Sequence, residues 1–325
     1  MRRWGRLSNC ISRKFLVRFT VLICAVVALG AFGGLAWGAE VPSPLKLEGL
    51  RNGFRVTDRL FCGGHPEGEG GFAELARLGV KTVVSVDGNK PDLITAHKYG
   101  LRYIHLPFGY GEIPRQRIIE LVSLAKAEVG LIYVHCHNGR YRAPAAVAVM
   151  RESMAGWSVE EAEAWLKRAG KGNVYEGLGL SVREFKQPTV GELVAVGELP
   201  EVGKTTAEVD AMVAIDSGLE RLLADQKVAG QRVSGPRAEA VEATRLILEQ
   251  FRELRESGAT AHRPPKYQQF GADAEKVAEA LRSQLMETKL EPRLLAVTLN
   301  QLGESCSACH QTFRNQAKVD PRPAP

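Results

Sequence analysis

The hydrophobic pattern of the chain changes once, near residue 186, and no other feature constrains the fold as strongly. Before this point, short apolar segments that fit β-strands alternate with amphipathic segments that fit helices, which is typical of an α/β domain with a central, mostly parallel sheet. After it, the apolar residues follow helical spacing only. A length of 325 residues also corresponds to about two domains. The sequence therefore predicts an α/β domain followed by an all-α four-helix bundle.

The same pattern gives the predicted elements and boundaries. In the first domain, strands are expected at 60–62, 81–86, 103–106 and 131–134, and helices at 71–78, 115–129 and 144–154. A further helix is expected after Ser158, because Ser158 and Glu161 fit a capping box. In the second domain, helices are expected at 206–223, 237–256, 273–287 and 291–314. The predicted divisions are a leader at 1–38, an α/β domain at 50–186, a linker at 187–205, a helical domain at 206–317 and a tail at 318–325.

The net charge of +6 belongs to the leader. Six basic residues precede the first acidic residue, Glu40, and the rest of the chain holds equal numbers of basic and acidic residues, which argues against a nucleic-acid partner. An uncharged run at 19–39 follows the basic start and ends in small residues, so a secretory signal cleaved after Gly38 is predicted. An uncleaved membrane anchor is the alternative, since about 20 apolar residues can span a bilayer. Both readings place the rest of the chain outside the cytoplasm, in the bacterial periplasm.

The predicted strand at 131–134 leads into a loop suited to an oxyanion. Cys136 stands six positions before Arg142, and Pro144 opens the next helix. A loop that ends on a helix N-terminus points backbone N–H groups inward and forms a nest for a tetrahedral anion. The same positive end lowers the pKa of a thiol, so Cys136 is expected to act as a thiolate nucleophile and Arg142 to hold phosphate oxygens. The predicted phosphate-binding residues are His137, Asn138, Gly139, Arg140, Tyr141 and Arg142.

This loop, together with the segment that begins at Val56, resembles the protein tyrosine and dual-specificity phosphatase family, whose signature is His-Cys, five residues and then Arg. The resemblance covers residues 56–185. It implies a cysteine-phosphatase fold, a phosphocysteine formed on Cys136, phosphate binding by Arg142, and support of the thiolate by His135.

Two residues depart from the family pattern. The family's general acid is usually an Asp some way before the cysteine, but no Asp stands between Asp92 and Cys136. Glu112 is the only acidic residue in the corresponding loop, and it fits an ordinary solvated carboxylate equally well. Ala143 replaces the usual hydroxyl residue after the arginine. Together these differences predict a slow phosphatase, or one that traps phosphate without turning it over.

A second motif, Cys-x-x-Cys-His, lies in the last predicted helix at Cys306, Cys309 and His310. This spacing is the attachment signal of c-type haem, and it places the two sulfurs and the imidazole on one helix face. A zinc site would need two more ligands at short spacing, and the neighbouring sequence offers none. Covalent haem c is therefore the predicted cofactor.

A haem motif in the last of four helices resembles the cytochrome c-prime and c556 family, over about residues 205–317. The resemblance implies thioether bonds to Cys306 and Cys309 and proximal iron ligation by His310. Met212 in the first of these helices occupies the place of a second axial ligand in some members, and it fits core packing equally well. Homodimerisation through the helical domain is a further expectation.

Two functions follow from these motifs. The first is an exported phosphatase that hydrolyses phosphomonoesters, phosphotyrosine or others, through a phosphocysteine, with the haem domain serving redox or gas-linked regulation or electron transfer with a periplasmic redox partner. The second is an electron-transfer or sensor cytochrome whose first domain only binds an oxyanion. One free thiol, Cys62, also suggests a reversible disulfide with Cys136 that would protect the nucleophile.

Overall fold

The computed structural model describes residues 41–172, 174–228 and 237–315. The predicted leader and tail lie outside these residues. In the described part of the chain, no helix is both long and apolar enough to cross a membrane.

A six-stranded mixed sheet forms the first part of the fold, with strands β1 Ser43–Leu47, β2 Leu50–Arg55, β3 Leu60–Gly64, β4 Val80–Ser85, β5 Arg102–His105 and β6 Leu131–Cys136. Its order is β1-β2-β3-β6-β4-β5. The pairs β3–β6, β6–β4 and β4–β5 are parallel, whereas β1–β2 and β2–β3 are antiparallel. The central position of β6 places the carboxyl end of this strand between two parallel neighbours.

Helices cover both faces of the sheet, as its buried parallel strands require. They are α1 Gly68–Arg77, α2 Leu93–Lys98, α3 Arg115–Ala127, α4 Arg142–Ala155, α5 Val159–Ala169 and α6 Glu176–Arg183. The side chains of α3 to α6 pack in one apolar cluster with Val84, Ile104 and Val134, and those of α1 and α2 pack in another with Val83, Tyr103 and Tyr133. Ser158 caps α5 with Glu161 in a capping box, as predicted.

The prediction missed the two antiparallel strands at the edge of the sheet. β1 is largely exposed and β2 carries Asn52 and Gly53, residues that are typical of turns. Asn52 has a positive φ of 49°, and its side chain donates hydrogen bonds to the carbonyls of Gly139 and Ala169. These strands are therefore stabilised by contacts with distant segments, which local periodicity does not reveal.

The predicted linker at 187–205 is attached to the α/β part by specific contacts. It contains a short helix, α7 Val190–Val194, whose Glu192 binds Arg115 of α3. Farther along, the carbonyl of Pro200 accepts a hydrogen bond from the N–H of His105, and the N–H of Gly203 donates to Nδ1 of the same residue. The segment therefore runs along the exposed edge of β5.

Four helices follow, α8 Ala207–Val228, α9 Arg237–Glu256, α10 Pro265–Met286 and α11 Pro292–Phe313. They share a separate apolar cluster that includes Ile215, Ile247, Leu281 and Leu302. α10 begins eight residues earlier than predicted, because Pro264 and Pro265 stand at its first turn, where the missing N–H is harmless. The expected all-α region is present after the α/β part.

Candidate active site

Cys136 is the last residue of β6, and its side chain is buried at the centre of the sheet's carboxyl edge. The following loop passes so close to β3 that a Cβ on Gly139 would lie 2.2 Å from the carbonyl carbon of Gly63. Gly139 also has a φ of 67°, in the left-handed region that favours glycine. Glycine is therefore required here for the loop to turn from β6 into α4.

Arg142 begins α4 and is buried within reach of the loop. Its guanidinium lies 4.7 Å from the ring centroid of Tyr110 and 3.3 Å from the carboxylate of Asp87. Burial opposes its charge, but Tyr110, Asp87 and Cys136 raise the pKa of Arg142 on balance, so the side chain is a permanent cation. The buried Nε of Arg142 has no hydrogen-bond partner among the described residues, which fits a donor that serves an anion in the pocket.

Asp87 is the site residue that the sequence analysis missed. It follows β4, adjacent to β6 in the sheet, and its side chain is buried. Burial opposes ionisation, but Arg142 and the N–H of Asn89 hold the pKa of Asp87 below its usual value. Asp87 is thus a buried carboxylate that orients Arg142. Its position after an apolar strand, Asp87-Gly88-Asn89, was the available signal.

The imidazole ring of His135 is neutral, so it does not stabilise a Cys136 thiolate as a positive charge would. Its ring is buried, and Nε2 lies 2.5 Å from the hydroxyl of Tyr103. Burial, with a smaller contribution from His65, lowers the pKa of His135 to about 3, so the ring is neutral at neutral pH. The residue contributes a neutral contact on β6 beside the nucleophile.

The other predicted loop residues differ in their surroundings. His137 is half-buried, with Nε2 at 2.9 Å from Oε1 of Glu220, and Asn138 is exposed and accepts a hydrogen bond from Arg51 at 3.4 Å. Arg140 is exposed, so its side chain does not line the buried part of the loop. Tyr141 lies edge-on to Tyr175, with ring centroids 4.7 Å apart. Only Arg142 among these side chains is both buried and cationic.

The loop that contains Glu112 is fixed to α6. The N–H of Ile113 donates to the hydroxyl of Ser181 at 2.8 Å, and the backbone of Gly111 lies against Gly177. Glu112 itself is half-buried. Ala143 is fully buried, so no side-chain hydroxyl is available at this position to assist departure of the thiolate.

The proposed Cys62–Cys136 disulfide does not fit the register of the sheet. β3 and β6 pair with Cys62 beside Val134, and Cys136 pairs with Gly64. With about 4.8 Å between strands and about 3.3 Å per residue, the two Cα atoms are roughly 8 Å apart. Because a disulfide needs Cα atoms within about 7 Å, the backbone would have to move. Both thiols are free, and burial raises the pKa of Cys62.

The three predicted haem donors lie on one helix. Cys306, Cys309 and His310 are half-buried on α11, and both thiols are free. Burial, helped by Arg314, lowers the pKa of His310 to about 4, which leaves a neutral imidazole able to bind iron. In the described residues, no cluster of three or more His, Cys, Asp or Glu could hold a metal ion by itself.

The surroundings of α11 are partly apolar. A cavity of about 540 Å³ lies between α8 and α11. It is lined by Leu219 and Leu223 of α8 and by residues of α11 that include Leu299 and Ser307. Met212 is half-buried and packs against the apolar cluster of the helical part. This position agrees with core packing, one of the two roles predicted for Met212, and its role as an iron ligand stays a prediction.

The helical part contacts the phosphate loop directly. Besides the His137–Glu220 hydrogen bond, Arg314 at the end of α11 lies 4.8 Å from the ring centroid of Tyr110. Tyr110 therefore contacts both Arg142 of the loop and Arg314, four residues after His310. The haem motif and the nucleophile belong to neighbouring segments of the fold.

Replacing Asp87 with asparagine is expected to lower the free energy of unfolding by about 1–3 kcal/mol at pH 7, because Arg142 would lose its buried counter-charge. The pKa of Asp87 is lower in the folded chain than in the unfolded one. The stabilisation by ionised Asp87 is therefore fully present above the pKa of the unfolded chain and is lost as the pH falls through the pKa of the folded chain. The difference between variant and wild type should therefore vanish in acid.

Urea unfolding followed by tryptophan fluorescence at several pH values measures this effect, since Trp157 and Trp165 both lie in the α/β part. The exposed Asp58 gives a matched control, and Asp58→Asn should unfold as wild type does. Equal stability of Asp87→Asn and wild type at pH 7 would show that the Asp87–Arg142 pair is not stabilising.

No protein-family model and no curated protein matches the chain. Solved structures similar to it include TpbA of P. aeruginosa, which is 21% identical in sequence. The match covers 46% of this chain and 98% of the TpbA chain, with a TM-score of 0.34. The core catalytic domain of the PP-IP phosphatase SIW14 from S. cerevisiae is 15% identical, and the match covers 43% of this chain and 89% of that domain, with a TM-score of 0.40. Human DUSP28 is 23% identical, and the match covers 44% of this chain and 95% of the DUSP28 chain, with a TM-score of 0.35. Each likeness covers less than half of this chain.

Proposed function

We propose that the chain is an exported phosphatase that hydrolyses phosphomonoesters through a phosphocysteine on Cys136 and carries a monohaem c-type cytochrome region. One observation supports the hydrolase above all others. Cys136 ends the central strand, and Arg142 is buried at the start of the next helix with Asp87 behind it and an unpaired Nε. A nucleophile and a fixed cation at opposite ends of one loop are what in-line transfer of a phosphoryl group needs.

The reaction proposed for this site has two steps. In the first, the Cys136 thiolate forms a bond to phosphorus as the bond to the ester oxygen breaks, and the electron pair leaves with that oxygen. Arg142 and the loop N–H groups hold the other three oxygens, where negative charge accumulates. In the second step, water attacks phosphorus, inorganic phosphate forms, and the electron pair of the S–P bond returns to sulfur.

The rim of the site favours an aromatic ester. Tyr110, Tyr141 and Tyr175 lie together beside Arg142. The ring centroid of Tyr175 is 4.5 Å from that of Tyr110 and 4.7 Å from that of Tyr141. Aromatic side chains of this kind offer edges and faces to a planar leaving group. Aryl phosphates such as phosphotyrosine are thus the proposed substrate class.

The haem proposal assigns Cys306 and Cys309 to thioether bonds and His310 to the iron. A haem bound there would supply one-electron transfer or a binding site for a small gas. Since Arg314 joins the end of α11 to Tyr110, a change at the haem site could reach the phosphate pocket over a short path. A periplasmic location, a periplasmic redox partner and a homodimer through the helical region are further parts of this proposal.

The second candidate is an electron-transfer or sensor cytochrome whose α/β part only binds an oxyanion. Ala143 favours it, because this fully buried position lacks the hydroxyl that would help Cys136 leave in the second step. In this candidate the pocket holds an oxyanion between Arg142 and the loop N–H groups, and no ester bond is cleaved.

The two candidates differ in turnover. With the full-length, haem-loaded protein and an excess of 4-nitrophenyl phosphate, a phosphatase is expected to release inorganic phosphate steadily over many equivalents. Phosphate release and nitrophenol release should be measured in parallel. One equivalent of nitrophenol with no matching phosphate would identify a trap, and no release of either product would remove the hydrolase proposal.

A further inference from the structure

Helix α8 turns one face toward the phosphate site. A Cβ on Gly88, the residue after Asp87, would lie 2.8 Å from Cγ1 of Val209 and 3.4 Å from Cγ2 of Val213. Two turns farther along, Glu220 binds His137 of the phosphate loop. Residues spaced three and four apart share a helix face, so the face that runs from Val209 to Glu220 also includes Asp216.

Asp216 thus lies between two points at which α8 contacts the site. Gly88 is on one side of it and His137 on the other. The charged groups that act on its carboxyl come from four parts of the fold: His137 of the loop, Asp87 after β4, Arg314 at the end of α11, and Glu220 on its own helix. Asp216 in turn acts on Cys306 of α11. Asp216 therefore stands on the face of α8 that is turned toward Gly88 and the phosphate loop.

The environment favours the protonated form of this carboxyl more than water does. The side chain of Asp216 is exposed at the surface of α8. Loss of part of its hydration raises the pKa of Asp216, and the negative charges of Glu220 and Asp87 raise it further, whereas His137 and Arg314 lower it. A carboxyl of this kind can give up a proton to a leaving oxygen. The loop at 106–114, where an Asp was expected, contains only Glu112.

We propose that Asp216, contributed by the helical region, is the proton donor to the leaving group at the Cys136 site. This inference rests on the proposed phosphatase function. As the P–O bond breaks, the leaving oxygen takes the electron pair and then the proton of Asp216, which becomes a carboxylate. In the second step that carboxylate removes a proton from the attacking water, so the acid is regenerated as the S–P bond breaks.

This assignment makes the two parts of the chain one catalytic unit. The nucleophile and the phosphate-binding cation come from the α/β part, and the acid comes from the first helix of the region that carries the haem motif. The Tyr110–Arg314 contact and the His137–Glu220 hydrogen bond hold that helical region against the site. The α/β part alone would therefore bind phosphate but protonate its leaving group poorly.

The test compares leaving groups of different basicity in the full-length, haem-loaded protein. Nitrophenolate leaves without help, whereas phenolate needs a proton. Asp216→Asn is expected to lower kcat/KM for phenyl phosphate by about 10²–10⁴-fold and that for 4-nitrophenyl phosphate by less than about 10-fold. The decline of kcat/KM toward high pH should also be lost in this variant. Asp216→Glu, which keeps the acid, should recover part of the phenyl phosphate activity.

Two variants make the result specific. Asp210 is an exposed carboxylate near the start of α8, and Asp210→Asn should leave both rates unchanged. Glu112→Gln tests the other acid. If Glu112→Gln loses phenyl phosphate activity selectively while Asp216→Asn does not, or if Asp216→Asn slows both esters equally, Asp216 is not the proton donor. Absence of any wild-type turnover of 4-nitrophenyl phosphate would instead refute the phosphatase function itself.

Discussion

Replacing Cys136 with serine is expected to remove hydrolysis of 4-nitrophenyl phosphate by a factor of at least about 10⁴. The hydroxyl of serine is a far weaker nucleophile than a thiolate, and Nε2 of the neighbouring His135 is already hydrogen-bonded with the hydroxyl of Tyr103. Binding of the ester should survive, because Arg142, Asp87 and the loop backbone are unchanged. Stopped assays of phosphate release and calorimetric titration with the ester measure the two properties separately.

Cys62 provides the matched control for this variant. It is a second buried cysteine on the adjacent strand, and Cys62→Ser should keep most of the activity. The folded state of both variants is checked by circular dichroism. Turnover by Cys136→Ser within about 10-fold of wild type would mean that phosphoryl transfer does not pass through this sulfur.

Replacing both Cys306 and Cys309 with alanine is expected to abolish covalent attachment of haem. The two sulfurs lie three residues apart on α11, so each can reach one edge of the same porphyrin, and the described residues contain no other half-buried cysteine pair on a helix. In a periplasmic expression host with a haem-attachment system, wild type should retain haem on a denaturing gel. The double variant should show none, and each single variant should show a shifted reduced haem spectrum from the remaining thioether.

Ser305 and Ser307 flank the first cysteine, and Ser307→Ala is the matched control, with full haem retention expected. Wild-type protein that emerges without covalent haem under these conditions would overturn the cytochrome proposal and leave the phosphatase proposal standing. In the haem-loaded wild type, a shift of the reduced spectrum on adding carbon monoxide would exclude Met212 as a tight iron ligand.

Local pattern was sufficient for much of the fold. The four parallel strands are rich in apolar residues, and all of them were found to within a few residues, as were α1, α3 and α4. α9 was found at its exact bounds, Arg237–Glu256, whereas the short helices α2 and α6 were not predicted. The edge strands β1 and β2 were missed. Their stability comes from pairing and from contacts such as that of Asn52 with the phosphate loop, so their own residues carry little signal.

The candidate site divides in the same way. Cys136, Gly139 and Arg142 stand close together in the sequence, and their spacing alone predicts an anion-binding loop. Asp87 reaches Arg142 only because β4 and β6 are neighbours in the sheet. The neutral state of His135 follows from its burial against Tyr103, which the sequence around it does not reveal.

The sequence by itself determined the order of the two regions, the strand-to-helix loop with Cys136 and Arg142, and the helical position of the Cys-x-x-Cys-His motif, because each depends on spacing along a single strand, loop or helix. Only the tertiary structure decided which groups surround them. The attachment of segment 187–205 along β5, the contact of Arg314 with Tyr110, and the position of Asp216 between Gly88 and His137 all join residues far apart in the chain. Such contacts depend on how helices and sheet pack together, and packing is a property of the whole chain rather than of any one segment.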